Sequence, residues 1–340
     1  LPPMRYRPLP IDPARTKRAL FSIPMERIED PTMVALFAEK QEELDRQLSM
    51  LTDRGTERFV LGGRQLYGRI SEPLVRSAEE LLERVPATAR AKTEGTTLSP
   101  EAFVALAEAE IAHYRGQWEG MDARVETKPS ILAGIMVSKG RLLVASDSKT
   151  HTKRADALLQ HEIGTHLVTY YNGKAQRLTL LKNGFAGYDE TQEGLAVLAE
   201  VLVGGMTPSR LRILAARVLA AKALIDDGSF VDTFRLLCRY GFQPPVAFGV
   251  ALRVYRGGGF IKDCIYLRGL INILAYLTRG EAIERLFVGK IAMEHLDIVR
   301  ELQSRRVIQA PKLLPRYLER DECQQRLAAL RKGKRLDELI

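Results

Sequence analysis

The chain has 340 residues, 46% of them hydrophobic and 27% charged, and its 51 Lys and Arg against 42 Asp and Glu give a formal net charge of +9. That is enough apolar material for one large or two ordinary cored domains, and the absence of any run of about eighteen uncharged apolar residues excludes a bilayer-spanning helix. Cys238, Cys264 and Cys323 are far apart and in no metal-ligand spacing, so they read as reduced thiols of a cytoplasmic protein.

In chain order, residues 1–24 are rich in proline and read as an extended lead segment. Residues 31–52 carry a 3.6-residue apolar period, with Asp30 as cap and Pro31 in the first turn. A second helix is expected from Glu72 to Val85, stopping before Pro86. A third is expected from Ser99, its cap, to about Tyr114. His113 on that helix reads as a satisfied or exposed side chain rather than a ligand. Together these helices form an N-terminal helical layer. At residues 131–146 the period becomes strand-like, and Lys139-Gly140 marks the turn of a β-hairpin. Such a hairpin either is plain structural sheet or offers an edge to which a peptide substrate adds as a strand.

The helix after the hairpin should begin near Thr152 or Lys153 and end at Asn172-Gly173, with Ala155, Leu158, Leu159, Ile163 and Leu167 on its apolar face. It carries His161, Glu162 and His166, two of only five histidines in the chain beside an acid. Two imidazoles on neighbouring turns supply half of a first-row metal site, and a third donor should come from another helix. The spacing is HExxxH, one residue longer than the HExxH of most zinc peptidases. On a regular helix positions i and i+5 point about 140° apart, which would splay the two ligands. The spacing therefore predicts a local π-bulge between Glu162 and His166, eased by Gly164. The following helix is expected over Gln192–Val203. By spacing alone Glu190, Glu193 and Glu200 all qualify as the third ligand. Glu200 could equally hold the far nitrogen of a ligating histidine or pair with an arginine.

Farther on, a basic amphipathic helix is expected from Pro208 to Ile225, its Arg210, Arg212 and Arg217 forming a solvated face, and another from Phe230 to Tyr240. The stretch RVYRGGGFIKDCIYLRGL, Arg253 to Leu270, contains three consecutive glycines that let the backbone approach something closely. It lacks the GxxxxGK[ST] pattern of a phosphate loop. Arg253, Arg256, Lys262 and Arg268 around that turn suit a carboxylate, and Tyr255, Phe260 and Tyr266 suit an aromatic pocket. Residues 281–340 read as helical, with a basic tail from Arg331 to Arg335 and with His295 outside any ligand register.

The segments HEIGTHLVTYYNG, GYDETQEGLAVLAEVLVGG and RVYRGGGFIKDCIYLRGL resemble the bacterial QEGLA-motif proteins, relatives of the microtubule-associated tyrosine carboxypeptidase (MATCAP) family. The resemblance is densest between Ile131 and Lys290. It implies a zinc carboxypeptidase that removes a C-terminal tyrosine or phenylalanine from a peptide or protein, with Zn2+ on His161, His166 and Glu193 and Glu162 as the catalytic acid and base. All four positions are intact. It also gives the basic residues of the glycine stretch a task, because an exopeptidase must hold a free C-terminal carboxylate and bury the last side chain.

The expected fold class is α+β, mainly helical: a zincin-like metallopeptidase core with a small sheet or hairpin beside the metal helix. The expected division is a lead segment and helical layer over 1–115, a catalytic core over 116–310 and a basic helical extension over 311–340. Two rivals come from other classes. The +9 charge suits a nucleic-acid-binding regulator, although no helix-turn-helix, zinc-finger or RNP signature is present. The metal ligands alone suit a non-catalytic metal-binding scaffold.

Overall fold

A computed structural model describes residues 4–87, 96–129, 131 and 134–340. Among the described residues the chain is mainly helical with two small sheets, an α+β composition. It divides into two compact units, Leu1–Thr88 with Pro208–Arg268, and Ala89–Thr207 with Gly269–Ile340. This division interleaves along the sequence instead of following the three consecutive segments that the sequence suggests, because the helices of residues 208–268 share a core with the N-terminal helices. The boundary falls within the helix Ile265–Thr278.

In the first unit, Pro31–Thr52 is one helix, and Asp30 accepts the N–H groups of Thr32 and Met33 at its start. The proline-rich lead is not all extended: Pro13–Phe21 is helical, with Asp12 as cap and Pro13 at the first position. Proline there removes a donor that would be orphaned anyway, so the same residue type that breaks helices starts this one. The helix Glu72–Arg84 buries Leu74, Val75, Ala78, Leu81 and Leu82 and packs on Pro208–Ile225. The arginines of that second helix are not all solvated. Arg212 is buried and donates to the carbonyls of Leu82, at 2.7 Å, and of Val85 and Tyr240, the orphan acceptors of helix ends and turns. Arg217 lies 3.6 Å from the buried Asp263. The three consecutive glycines all have positive φ, at 71°, 100° and 122°. Their close approach is to their own chain: a Cβ on Gly258 would fall 2.5 Å from the Thr56 carbonyl oxygen.

The second unit holds all the described strands: β1 (Thr97–Leu98), β2 (Arg124–Lys128), β3 (Ile135–Ser138), β4 (Arg141–Ala145) and β5 (Thr150–His151). The hairpin is β3–β4, and Lys139 and Gly140 both adopt φ above zero, as a two-residue I′ turn demands. Residues 132 and 133 of the expected first strand lie outside the described residues. β4 also pairs in parallel with β2, giving a three-stranded sheet ordered β2-β4-β3 with β3 at an edge, while β1 and β5 pair separately. The helical run from Thr152 continues to Ala175, past Asn172-Gly173. Gly173 is there for clearance rather than as a stop, since a Cβ would meet the Leu181 carbonyl oxygen at 2.4 Å. After the short helix Leu180–Asn183, the helix that carries Glu193 begins at Tyr188, a full turn before the expected Gln192, and ends at Leu202. Its Gly194 crosses Gly269 so closely that a Cβ on Gly194 would lie 2.4 Å from the Gly269 carbonyl carbon. Residues 281–340 fold as short elements, of which the longest are Leu296–Ser304 and Asp321–Arg331. The latter buries Cys323, Leu327 and Leu330 against the helix Tyr188–Leu202.

Candidate metal centre

Between two ordinary helical turns, Gln160–Leu167 forms a π-helix. The Val168 N–H reaches back to the carbonyl of Ile163, five residues away, and the Thr165 hydroxyl donates to the Gln160 carbonyl at 3.0 Å. The wider turn brings the two histidines to one side, with their rings 5.2 Å apart and nearly perpendicular at 80°. The volume behind the turn is filled by Tyr317, fully buried, whose ring would stand 3.2 Å from a Cβ on Gly164. Gln160, also fully buried, donates to Glu110 and Asp156, both at 3.2 Å.

Glu193, in the second turn of the helix Tyr188–Leu202, places its Oε2 3.9 Å from His161 Nε2 and 3.8 Å from His166 Nε2. Donor atoms of the three residues lie within 4.8 Å of one another, the arrangement that could hold a metal ion. The other two glutamates on that helix are engaged elsewhere. Glu190 accepts from the Asn272 amide at 2.7 Å. Glu200, completely buried, has Oε1 2.9 Å from His161 Nδ1 and Oε2 2.7 Å from the Arg154 guanidinium. Glu200 thus contacts both an imidazole and an arginine. A carboxylate on Nδ1 fixes the proton there and turns the Nε2 lone pair toward a metal.

Tetrahedral zinc with donors at about 2.0–2.1 Å needs them about 3.4 Å apart, and the observed 3.8 and 3.9 Å are slightly open of that. Two imidazole nitrogens and a carboxylate oxygen converging in a partly buried place are the donor set zinc takes. The residues present fit the ion.

Glu162 is buried beside these donors, and its Oε2 accepts the Val137 N–H of β3 at 3.1 Å. Burial pushes its pKa up to about 7, with the nearby Glu193 charge adding to the rise and His161 opposing it. For His161 burial acts to lower the pKa, but the Glu200 hydrogen bond and the acidic neighbours outweigh it and leave the value raised.

The six expected substrate-binding side chains all belong to the first unit, where each has a partner. Arg253 makes a forked pair with Asp263 at 2.6 and 2.9 Å. Arg256 lies over the Phe260 ring, and Lys262 over the Tyr67 ring. Arg268 donates to the carbonyls of Arg69, at 3.1 Å, and Tyr67. The Tyr255 hydroxyl meets Thr233 at 2.7 Å, and the Tyr266 ring lies under Arg217. His295 is buried edge-on to Phe185, and His113 contacts Gln117. Sequence reasoning missed Arg154, Val137 and Tyr317. Each reaches the site across a long sequence separation or through its backbone, so no local spacing marks it.

The family model described as microtubule-associated tyrosine carboxypeptidase matches residues 1–335. Human microtubule-associated tyrosine carboxypeptidase 1 is 29% identical over 198 residues, covering 54% of this chain and 40% of that protein. Its mouse counterpart is 29% identical over 197 residues with the same coverage. Human MATCAP2, a putative tyrosine carboxypeptidase by its description, is 28% identical over 178 residues, covering 48% of this chain and 34% of that protein. The chain thus spans between a third and two fifths of the length of these curated relatives. With nearly the whole sequence matched by the family model, the chain belongs to the microtubule-associated tyrosine carboxypeptidase family.

Proposed function

We propose that the protein is a zinc-dependent carboxypeptidase with a zincin-like core, hydrolysing the last peptide bond of a peptide or protein to release a terminal Tyr or Phe. The convergence of His161 Nε2, His166 Nε2 and Glu193 Oε2 around one point, with Glu162 alongside, carries this reading. A bound zinc ion would supply Lewis acidity for the scissile carbonyl and lower the pKa of water. Membership of a family described by tyrosine carboxypeptidase action supports the reaction class.

Glu162 takes the proton of the attacking water and delivers it to the leaving amine. Burial and the Glu193 charge raise its pKa to about 7 in the metal-free site, against the opposing His161. The hydrogen bond from Val137 keeps Oε2 in place. Because β3 is an edge strand, a peptide laid along it would have its backbone beside this carboxyl, the strand-addition mode of recognition.

The test is mass spectrometry of peptides ending in Tyr, Phe, Leu or Lys after incubation with the zinc-loaded protein. Loss of a single terminal aromatic residue is expected; cleavage at internal bonds, or intact peptides throughout, would sink the proposal. Glu162→Gln should retain zinc while losing about 10²–10⁴ in turnover.

A further inference from the structure

Arg154 stands in the first turn of the metal helix and points at the end of the other ligand-bearing helix. One guanidinium nitrogen donates to Glu200 Oε2 at 2.7 Å, and the other to the Gly205 carbonyl at 2.6 Å. The second oxygen of Glu200 is the one on His161 Nδ1. Around Gly205 the chain is tight. Its N–H donates to the Glu200 carbonyl at 2.8 Å, and a Cβ on it would fall 2.4 Å from the Ala157 Cβ. The Glu200 side chain is 1% exposed and that of Arg154 21%, so the pair is shielded from water on the Glu200 side. A carboxylate that deep needs a fixed cation, and a forked guanidinium satisfies it in one geometry where an ammonium would not.

We propose that Arg154 is a positioning residue for the metal centre: held between Glu200 and the Gly205 carbonyl, it sets the rotation of the His161 ring. The inference rests on the zinc-site reading above. If Glu200 can swing, Nδ1 loses its fixed acceptor, the ring turns, and Nε2 leaves the point shared with His166 and Glu193. Arg154 touches no substrate or metal in this scheme and acts only through Glu200. That chain of action separates it from a residue that merely ties two helices together.

The experiment measures zinc affinity of the full chain at one pH by competition with a chromophoric chelator, with thermal melting of the metal-free proteins alongside. Arg154→Ala should weaken zinc binding by about 10–100-fold, the usual cost of losing an outer partner of a ligand. Arg154→Lys, which keeps the charge without the fork, should fold in any case and lose less. In a Glu200→Gln background, Arg154→Ala should cost no more than about a further twofold, because coupled sites fail to add. Affinity of both Arg154 variants within about twofold of the parent, or losses that multiply fully with those of Glu200→Gln, would overturn the proposal. If the parent chain itself binds no zinc, the metal-site reading falls and this inference with it. A parent that binds zinc beside variants that bind it equally well removes only the role of Arg154.

Discussion

Two buried carboxyls, Asp263 in the first unit and Glu162 in the second, are 3% and 9% exposed and yet are driven in opposite directions. Burial acts to raise both. At Asp263 the forked bond from Arg253 and the charges of Arg217 and Arg256 win, and the pKa falls below the usual range. At Glu162 burial prevails over the opposing charge of His161, with Glu193 and Glu200 adding to it, and the pKa rises to about 7. One cluster surrounds an acid with cations and neutralises itself. The other gathers two imidazoles and a carboxylate around a shared point, the arrangement that could hold a metal ion. Depth alone does not set the direction of a buried acid's pKa; the balance of burial against its charged neighbours does.

The largest test of this contrast is Asp263→Asn. It strips Arg217 and Arg253 of their counter-charge and should destabilise the protein by about 3–5 kcal/mol, as breaking one side of a buried pair does, read from denaturant unfolding. A loss below about 1 kcal/mol would mean that water, not Asp263, compensates those arginines.

Next in size is the pH dependence of the metal-free protein. A carboxyl whose pKa is raised from 4.5 to about 7 on folding favours the folded state while protonated, and that advantage disappears as pH rises through this interval. Between pH 5 and pH 8 the loss from Glu162 should be on the order of 2–3 kcal/mol. His161, also raised, acts in the same sense, since its protonated form is favoured on folding. Melting temperatures of the metal-free chain should therefore fall between pH 5 and pH 8, and Glu162→Gln should flatten most of that slope. A rising melting temperature would contradict the assignment. Asp263 contributes with the other sign and elsewhere: its stabilisation is present above about pH 4 and is lost as pH falls through its depressed value.

The smallest effect belongs to a carboxylate with neither environment. Asp30 caps Pro31–Thr52 by accepting two N–H groups, and Asp30→Ala should cost about 1 kcal/mol. A cost as large as that of Asp263→Asn would show that Asp30 does more than cap.

Helix ends with local chemistry were legible in the sequence, and distant partners were not. Asp30-Pro31 and Ser99 announce their helices through side-chain caps. Asp12-Pro13 carries the same signal but was masked by the prolines around it. The helix Arg58–Tyr67 went unread because two glycines sit in it, Gly62 and Gly63, and dilute the period. Parallel pairing of β2 with β4 is a non-local choice that no hairpin signal encodes. At the site, the HExxxH spacing pointed to a widened turn, and a π-helix covers it. Which of Glu190, Glu193 and Glu200 approaches the two Nε2 atoms depended on where that helix starts and on the partners of the other two, Asn272 for Glu190 and Arg154 with His161 Nδ1 for Glu200. The burial of Arg212 and Arg217 was likewise invisible, because an amphipathic pattern does not show which polar side chains will find carbonyls or acids inside.

The widened turn also works as a phase setter for everything after it. Downstream of Leu167 the helix resumes its ordinary thread, and Asn172 there locks onto two remote segments of chain, donating to the carbonyls of Phe287 and Leu313 at 2.7 and 2.8 Å and accepting from the Leu313 N–H at 2.9 Å. Deleting one residue between Glu162 and His166 would restore the shorter motif on paper, but it would rotate Asn172 by about 100° and draw it back by about 1.5 Å. The longer spacing is therefore gauged to the whole thread of the helix, and trimming it would unscrew Asn172 from its latch while the two imidazoles were being brought closer.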